Sequence, residues 1–165
     1  MAGTVIRSFA SPSAQPYSLA FDGRTLWNSD PGTDRIYQID IASGTVIRSF
    51  ASPSTSPRGL AFDGRTLWHC DSDADRVYQI DIASGTVIRS FASPATSPLG
   101  LAFDGRTLWN SDPGTDRIYQ IDIASGTVIR SFASPSTNPR GLAFDGRTLW
   151  HCDSDADRIY QIDIE

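Results

Sequence analysis

The sequence predicts an all-β fold made from one repeated unit, and three observations carry that prediction. First, a 41-residue unit is written four times with almost no drift: Trp27, Trp68, Trp109 and Trp150 each close a LAFDGRTLW stretch, and Gly3, Gly44, Gly85 and Gly126 each open GTVIRSFASP. A period in the low forties is produced by propeller blades and by some helical arrays. Second, each unit divides into short runs of β-branched and aromatic residues bounded by Gly, Pro, Asp and Ser, and no window shows uninterrupted helical periodicity. Third, the runs carry apolar residues on both faces, so a lone sheet would leave one of them wet.

The strands follow in order, with the second unit as the example. Residues 45–51 (TVIRSFA) form a strand that ends at Ser52-Pro53. Residues 59–62 (GLAF) form the next, followed by Asp63-Gly64, a strong hairpin signal because both positions tolerate positive φ. Residues 65–69 (RTLWH) form the third strand and run into the Asp-rich loop DSDAD. Residues 76–82 (RVYQIDI) form the fourth, and Ser84-Gly85 turns the chain into the next TVIRSF. In TVIRSF, Val46 and Phe50 are expected on one face and Ile47 on the other; Leu67 and Trp68 oppose each other in the same way.

Stacking such sheets radially covers both faces of each one, and this predicts a β-propeller of four-stranded antiparallel blades. The units run approximately over residues 3–43, 44–84, 85–125 and 126–165 and together make a single propeller domain. The first TVIRSF corresponds to the last strand of a blade, so it is expected to complete the sheet of the final unit, in the same chain or in another. Four units close either alone, as a four-bladed ring, or with a second chain as an eight-bladed one. Every blade carries the same Trp, Tyr and two Phe with no taper, which favours the eight-bladed homodimer.

Composition excludes more than it assigns. The net charge of −5, with arginines interleaved among aspartates as at Asp34-Arg35 and Asp75-Arg76, argues against nucleic acid as a partner. No apolar run is long enough to cross a bilayer, so no membrane is expected. The opening residues MAGTVIRSFASP carry no secretory signal, and no compartment is specified beyond consistency with cytoplasmic expression. Cys70 and Cys152 occupy the same position two units apart and are expected to be free thiols.

The unit SPRGLAFDGRTLWHCDSDADRVYQIDIASGTVIRSF resembles the NHL, YVTN and streptogramin-lyase-like propeller repeats, and is similar to units of the glutaminyl-cyclotransferase-like group. PRGLAFDG leading into LW, then DxxxDRVYQID, then SGTVI carry the resemblance over essentially the whole chain. These are core and turn positions, so the resemblance implies the fold and no activity. The near-identity of the copies also resembles designer propellers built from one repeated blade, and points to an engineered or very recently amplified chain.

Chemistry has few places to reside. The first and third units read WNSDPGTDR and the second and fourth WHCDSDADR, and the other variable segment precedes the GLAF or SLAF strand. Antiparallel strands bring both segments to the same end of each blade, which makes Tyr17, Arg58, Leu99 and Arg140 a candidate ligand rim, with His69 and His151 close by. A metal site would require His69 and His151 to meet at the axis, because His69 and Cys70 point to opposite faces and cannot clamp one ion. Asp71, Asp73 and Asp75 lack the Gly turn and distal acid of a calcium loop and read as turn formers. No nucleophile, base or paired acid stands out, so no catalytic residue, cofactor or enzyme activity is expected. The expected function is a symmetric, self-assembling β-propeller scaffold whose partner is a second copy of itself; the alternative is a ligand- or metal-binding module using the loop rim.

Overall fold

The computed structural model describes residues 4–165, so Gly3 lies outside the described residues. It is all-β, a β-propeller of four antiparallel blades. Blade 1 holds β1 (Ser18–Phe21), β2 (Thr25–Asp30), β3 (Arg35–Asp40) and β4 (Val46–Ala51). Blade 2 holds β5 (Pro57–Phe62), β6 (Leu67–Asp71), β7 (Arg76–Ile80) and β8 (Val87–Ala92). Blade 3 holds β9 (Gly100–Phe103), β10 (Thr107–Asp112), β11 (Arg117–Asp122) and β12 (Val128–Ala133). Blade 4 holds β13 (Pro139–Phe144), β14 (Leu149–Asp153) and β15 (Arg158–Ile162), three strands among the described residues. No helix of the described residues is long and apolar enough to cross a membrane.

The blades pack in chain order through their first strands, β1 on β5, β5 on β9 and β9 on β13. Each interface joins two unlike faces. Trp27 and Ile36 of blade 1 meet Leu60, Leu67, Tyr78 and Ile80 of blade 2. Trp68, Cys70 and Val77 of blade 2 meet Leu101, Leu108, Tyr119 and Ile121 of blade 3, and Trp109 and Ile118 of blade 3 meet Leu149 of blade 4. The Trp side and the Leu/Tyr side of a blade thus alternate around the array, and nearly all the buried apolar surface lies between blades. The first strands approach so closely that a Cβ on Gly59 would collide with Leu99 O at 2.6 Å, and one on Gly100 with the Arg140 carbonyl.

One expectation is corrected. Val46 and Ile47 are both exposed, as are Val87 and Ile88, Val128 and Ile129. A register shift opposite Gln38-Ile39, repeated in blades 2 and 3, places Arg48 against Gln38 and Val46 against Ile39, which leaves Ile47 as the extra residue of a bulge at the outer rim. Of the two arrangements open to the first TVIRSF, pairing with the last blade of the same chain is not seen among the described residues. Residues 4–10 are exposed and paired to no strand, and Arg7 is tied to blade 1, its Nη1 donating to Ile41 O at 2.6 Å and to Ala42 O at 2.5 Å.

Candidate functional site

The two variable loop segments lie side by side, held by one buried carboxylate per blade. Asp30, Asp71, Asp112 and Asp153 accept hydrogen bonds from the backbone N–H groups of Gln15, Ser56, Ser97 and Asn138 at 3.1, 3.0, 2.8 and 2.9 Å. The same side chains cap the following turn, Asp71 Oδ1 accepting from the N–H of Asp73 and of Ala74, both at 3.0 Å. The last Asp of each loop (Asp34, Asp75, Asp116 and Asp157) takes a positive φ of 51–53°, a conformation Asp tolerates better than most residues. The Asp-rich loop is therefore occupied by turn-making. Among the described residues no group of three His, Cys, Asp or Glu side chains converges as a metal site.

The rim residues are brought together. Tyr17, Leu99 and Arg140 line a cavity of about 250 Å³ enclosed by the first strands of all four blades, with Leu60, Leu101 and Leu142 on its walls. Arg58 stands over the Tyr17 ring, its guanidinium carbon 4.8 Å from the centroid, and donates through Nε to Ser72 Oγ at 3.1 Å. Arg140 makes the equivalent bond to Ser154 Oγ at 3.2 Å.

The histidines are not brought together. His69 is fully buried between blades 1 and 2, stacked on Tyr78 with centroids 5.2 Å apart and with Nε2 3.4 Å from Ser52 Oγ. His151 is held in the same way between blades 3 and 4, stacked on Tyr160 at 5.1 Å. Each faces a neighbouring blade instead of the axis, because its strand alternates sides and Trp68 or Trp150 takes the other one. Burial holds His69 well below the usual imidazole value, at about 4, despite the nearby Asp71 carboxylate. Both thiols are free: Cys70 is buried, and loss of hydration pushes it up to about 12, while Cys152 is exposed.

Cys152 differs from Cys70 because, among the described residues, no blade packs against the Trp side of blade 4. On the Leu/Tyr side of blade 1, Leu19 and Phe21 are 60% and 54% exposed; on the Trp side of blade 4, Ile159 is 73% exposed. Their internal counterparts Leu60 and Val77 are 3% and 0% exposed. An apolar hollow of about 210 Å³ lies on that side of blade 4, lined by Gly141, Ala143, Trp150, Cys152 and Ile159 among others. Sequence reasoning placed its candidates on the loop rim and missed these end faces, although the two-sided apolar pattern of the first and last units was a signal for them.

No protein-family model and no curated relative matches the chain. Solved structures do. Myxococcus xanthus glutaminyl cyclase superposes with a TM-score of 0.78 at 15% identity, over 91% of this chain and 66% of that one. The computationally designed Ika4 protein superposes at 0.70 and 18% identity over 99% of both chains. Staphylococcus aureus virginiamycin B lyase superposes at 0.67 and 22% identity, over 96% of this chain and 58% of the lyase. The chain resembles these propellers in fold. It spans about two-thirds of the cyclase and a little over half of the lyase, and it matches a designed protein end to end.

Proposed function

We propose that this chain is a symmetric, non-catalytic β-propeller scaffold whose binding activity is directed at a second copy of itself, two chains closing one eight-bladed ring. The single observation behind this reading is the pair of open end faces. Blade 4 presents Trp150, Cys152 and Ile159, and blade 1 presents Leu19, Phe21, Leu26 and Tyr37, none of them fully buried. Their counterparts form the two sides of the closed interface between blades 2 and 3, where Trp68, Cys70 and Val77 meet Leu101, Leu108 and Tyr119. The ends thus carry a matched head and tail.

Two chains satisfy both faces with a twofold axis and leave none open. Within one chain the two end faces are left open, Leu19 and Ile159 being 60% and 73% exposed where Leu60 and Val77 are 3% and 0%. The likeness to a designed propeller over its full length supports a scaffold, and the two imidazoles and the rim arginines form no arrangement that would carry a reaction. Light scattering behind size exclusion tests the reading. A mass near twice the 17.9 kDa chain is expected, and a single-chain mass at micromolar concentration overturns it.

A further inference from the structure

Every internal outer strand makes two sets of contacts, one within its own blade and one across to the next. Within the blade, Arg48, Arg89 and Arg130 donate through Nε to Oε1 of Gln38, Gln79 and Gln120 at 2.8, 2.8 and 2.7 Å, and lie over Trp27, Trp68 and Trp109. Phe50, Phe91 and Phe132 tilt against the same indoles at 5.8, 5.9 and 6.0 Å. Arg35, Arg76 and Arg117 donate to Oγ of Ser49, Ser90 and Ser131. Across to the next blade, Arg48 Nη1 donates to Ala83 O at 2.7 Å and Arg89 Nη1 to Ala124 O at 2.9 Å, while Phe50 and Phe91 fill the space left by Gly85 and Gly126.

Residues 4–9 repeat the TVIRSF sequence and make only the second set. Arg7 Nη1 donates to Ile41 O and Ala42 O, and Phe9 occupies the space left by Gly44, where any Cβ would collide with its ring. The segment already sits on blade 1 where the outer strand of a preceding blade would sit, with no blade behind it. Blade 4 holds the complementary half. Gln161 Nε2 donates to Thr148 Oγ1 at 2.9 Å as its counterparts do, yet among the described residues its Oε1, the Arg158 guanidinium and the Trp150 ring lack the partners found in the other blades.

We infer that residues 4–10 of one copy form the fourth strand of blade 4 of a second copy, in a fixed register. The pairing of β11 with β12 sets that register: Ala10 opposite Arg158, Phe9 opposite Ile159, Ser8 opposite Tyr160, Arg7 opposite Gln161 and Val5 opposite Ile162. Arg7 Nε then donates to Gln161 Oε1 of the second copy, Arg158 of that copy donates to Ser8 Oγ, and Phe9 covers its Trp150. The occupant is a second copy because the segment is anchored on its own blade 1 through Arg7 and Phe9, and the open side of that blade is the counterpart of the side that covers Trp68, Cys70 and Val77 at the closed interface between blades 2 and 3. The exchange ties the two chains with main-chain hydrogen bonds in addition to face-to-face packing, and it removes the unpaired edge of β15. This inference rests on the two-chain ring proposed above.

Disulfide trapping separates the two. In a Cys70→Ser, Cys152→Ser background, which installs the Ser found at the same position in units one and three, Ala10→Cys is combined with Arg158→Cys. Both substituted positions are exposed, and mild oxidation is followed on a non-reducing gel with scattering mass measured on the same sample. The expected result is near-complete conversion to a covalent two-chain species, and less than a tenth of that for the off-register pair Ala10→Cys with Tyr160→Cys. A two-chain mass without the cross-link, or with equal trapping of both pairs, overturns the exchange and leaves the ring reading standing. A disulfide within one chain, or a single-chain mass with no cross-link, overturns both.

Discussion

Trp68 donates its indole Nε1–H to Oδ2 of Asp63, five residues earlier across the hairpin, at 2.8 Å. Asp63 also accepts from the N–H of Arg65 and from the N–H and hydroxyl of Thr66, so one carboxylate closes the turn and fixes the largest side chain of the blade. The bond recurs at Asp22–Trp27, Asp104–Trp109 and Asp145–Trp150 at 2.8, 2.8 and 2.7 Å. Burial raises the Asp63 and Asp104 carboxyls, but the converging donors outweigh it and hold both below the ordinary value.

Removing that carboxylate should cost more than an ordinary turn substitution. Asp63→Ala strands the buried indole N–H and the turn amides, and a loss of about 2–3 kcal/mol is expected in urea unfolding. Asp63→Asn keeps one acceptor and should lose less. Equal stability of Asp63→Ala and the parent chain would remove the bond from the account of the fold.

Because these carboxyls sit low in the folded state, the stability they add is present above about pH 4, the unfolded carboxylate range, and is lost as pH falls through the lower folded value.

His69 acts in a higher pH window. Its folded value is depressed to about 4 from 6.5, so the unfolded chain takes up the proton first and stability declines as pH falls from 6.5 toward 4. His69→Asn with His151→Asn installs the residue that units one and three carry there and should flatten the pH dependence across that window. The measurement is the urea midpoint at pH 7.5 and at pH 5 for both proteins; an unchanged difference between the two midpoints would count against it.

The thiols report on the end faces. Cys70 is buried and should resist an aromatic disulfide reagent in the native state. Cys152 is exposed on a single chain and covered once a second chain closes the ring. No thiol should react at high protein concentration, and one per chain should react on dilution below the assembly constant.

Charge on either open face should separate the chains. Leu19→Asp or Ile159→Asp places a carboxylate where the ring would exclude water, and the scattering mass should fall from two chains to one without loss of the β signal in circular dichroism. A doubled mass that survives both substitutions would point to a different contact.

The period, the strand order and the DG hairpins were legible because they are local. Predicted strand ends fall within two residues of those observed in blade 2, from Leu67 where 65 was expected to Ile80 where 82 was. Three features were not legible. The Asp63–Trp68 bond depends on the side-chain rotamers across a twisted hairpin. The bulge at Ile47 is invisible because both registers leave the same residues in TVIRSF. The separation of His69 from His151 follows from which face each takes, and a two-residue period has no means of naming the absolute side.

The alternation of the second-shared position carries a rule about unit number. Ser29 and His69 occupy the first interface, Cys70 and Asn110 the second, and Ser111 and His151 the third, whereas the seam would join Cys152 to Asn28. That last pairing already exists in the second interface. A chain cut to three units would instead set Ser111 against Asn28, a combination that occurs at none of the internal interfaces, so the sequence repeats over an 82-residue pair, and only an even number of units gives a seam of a kind already present within the chain.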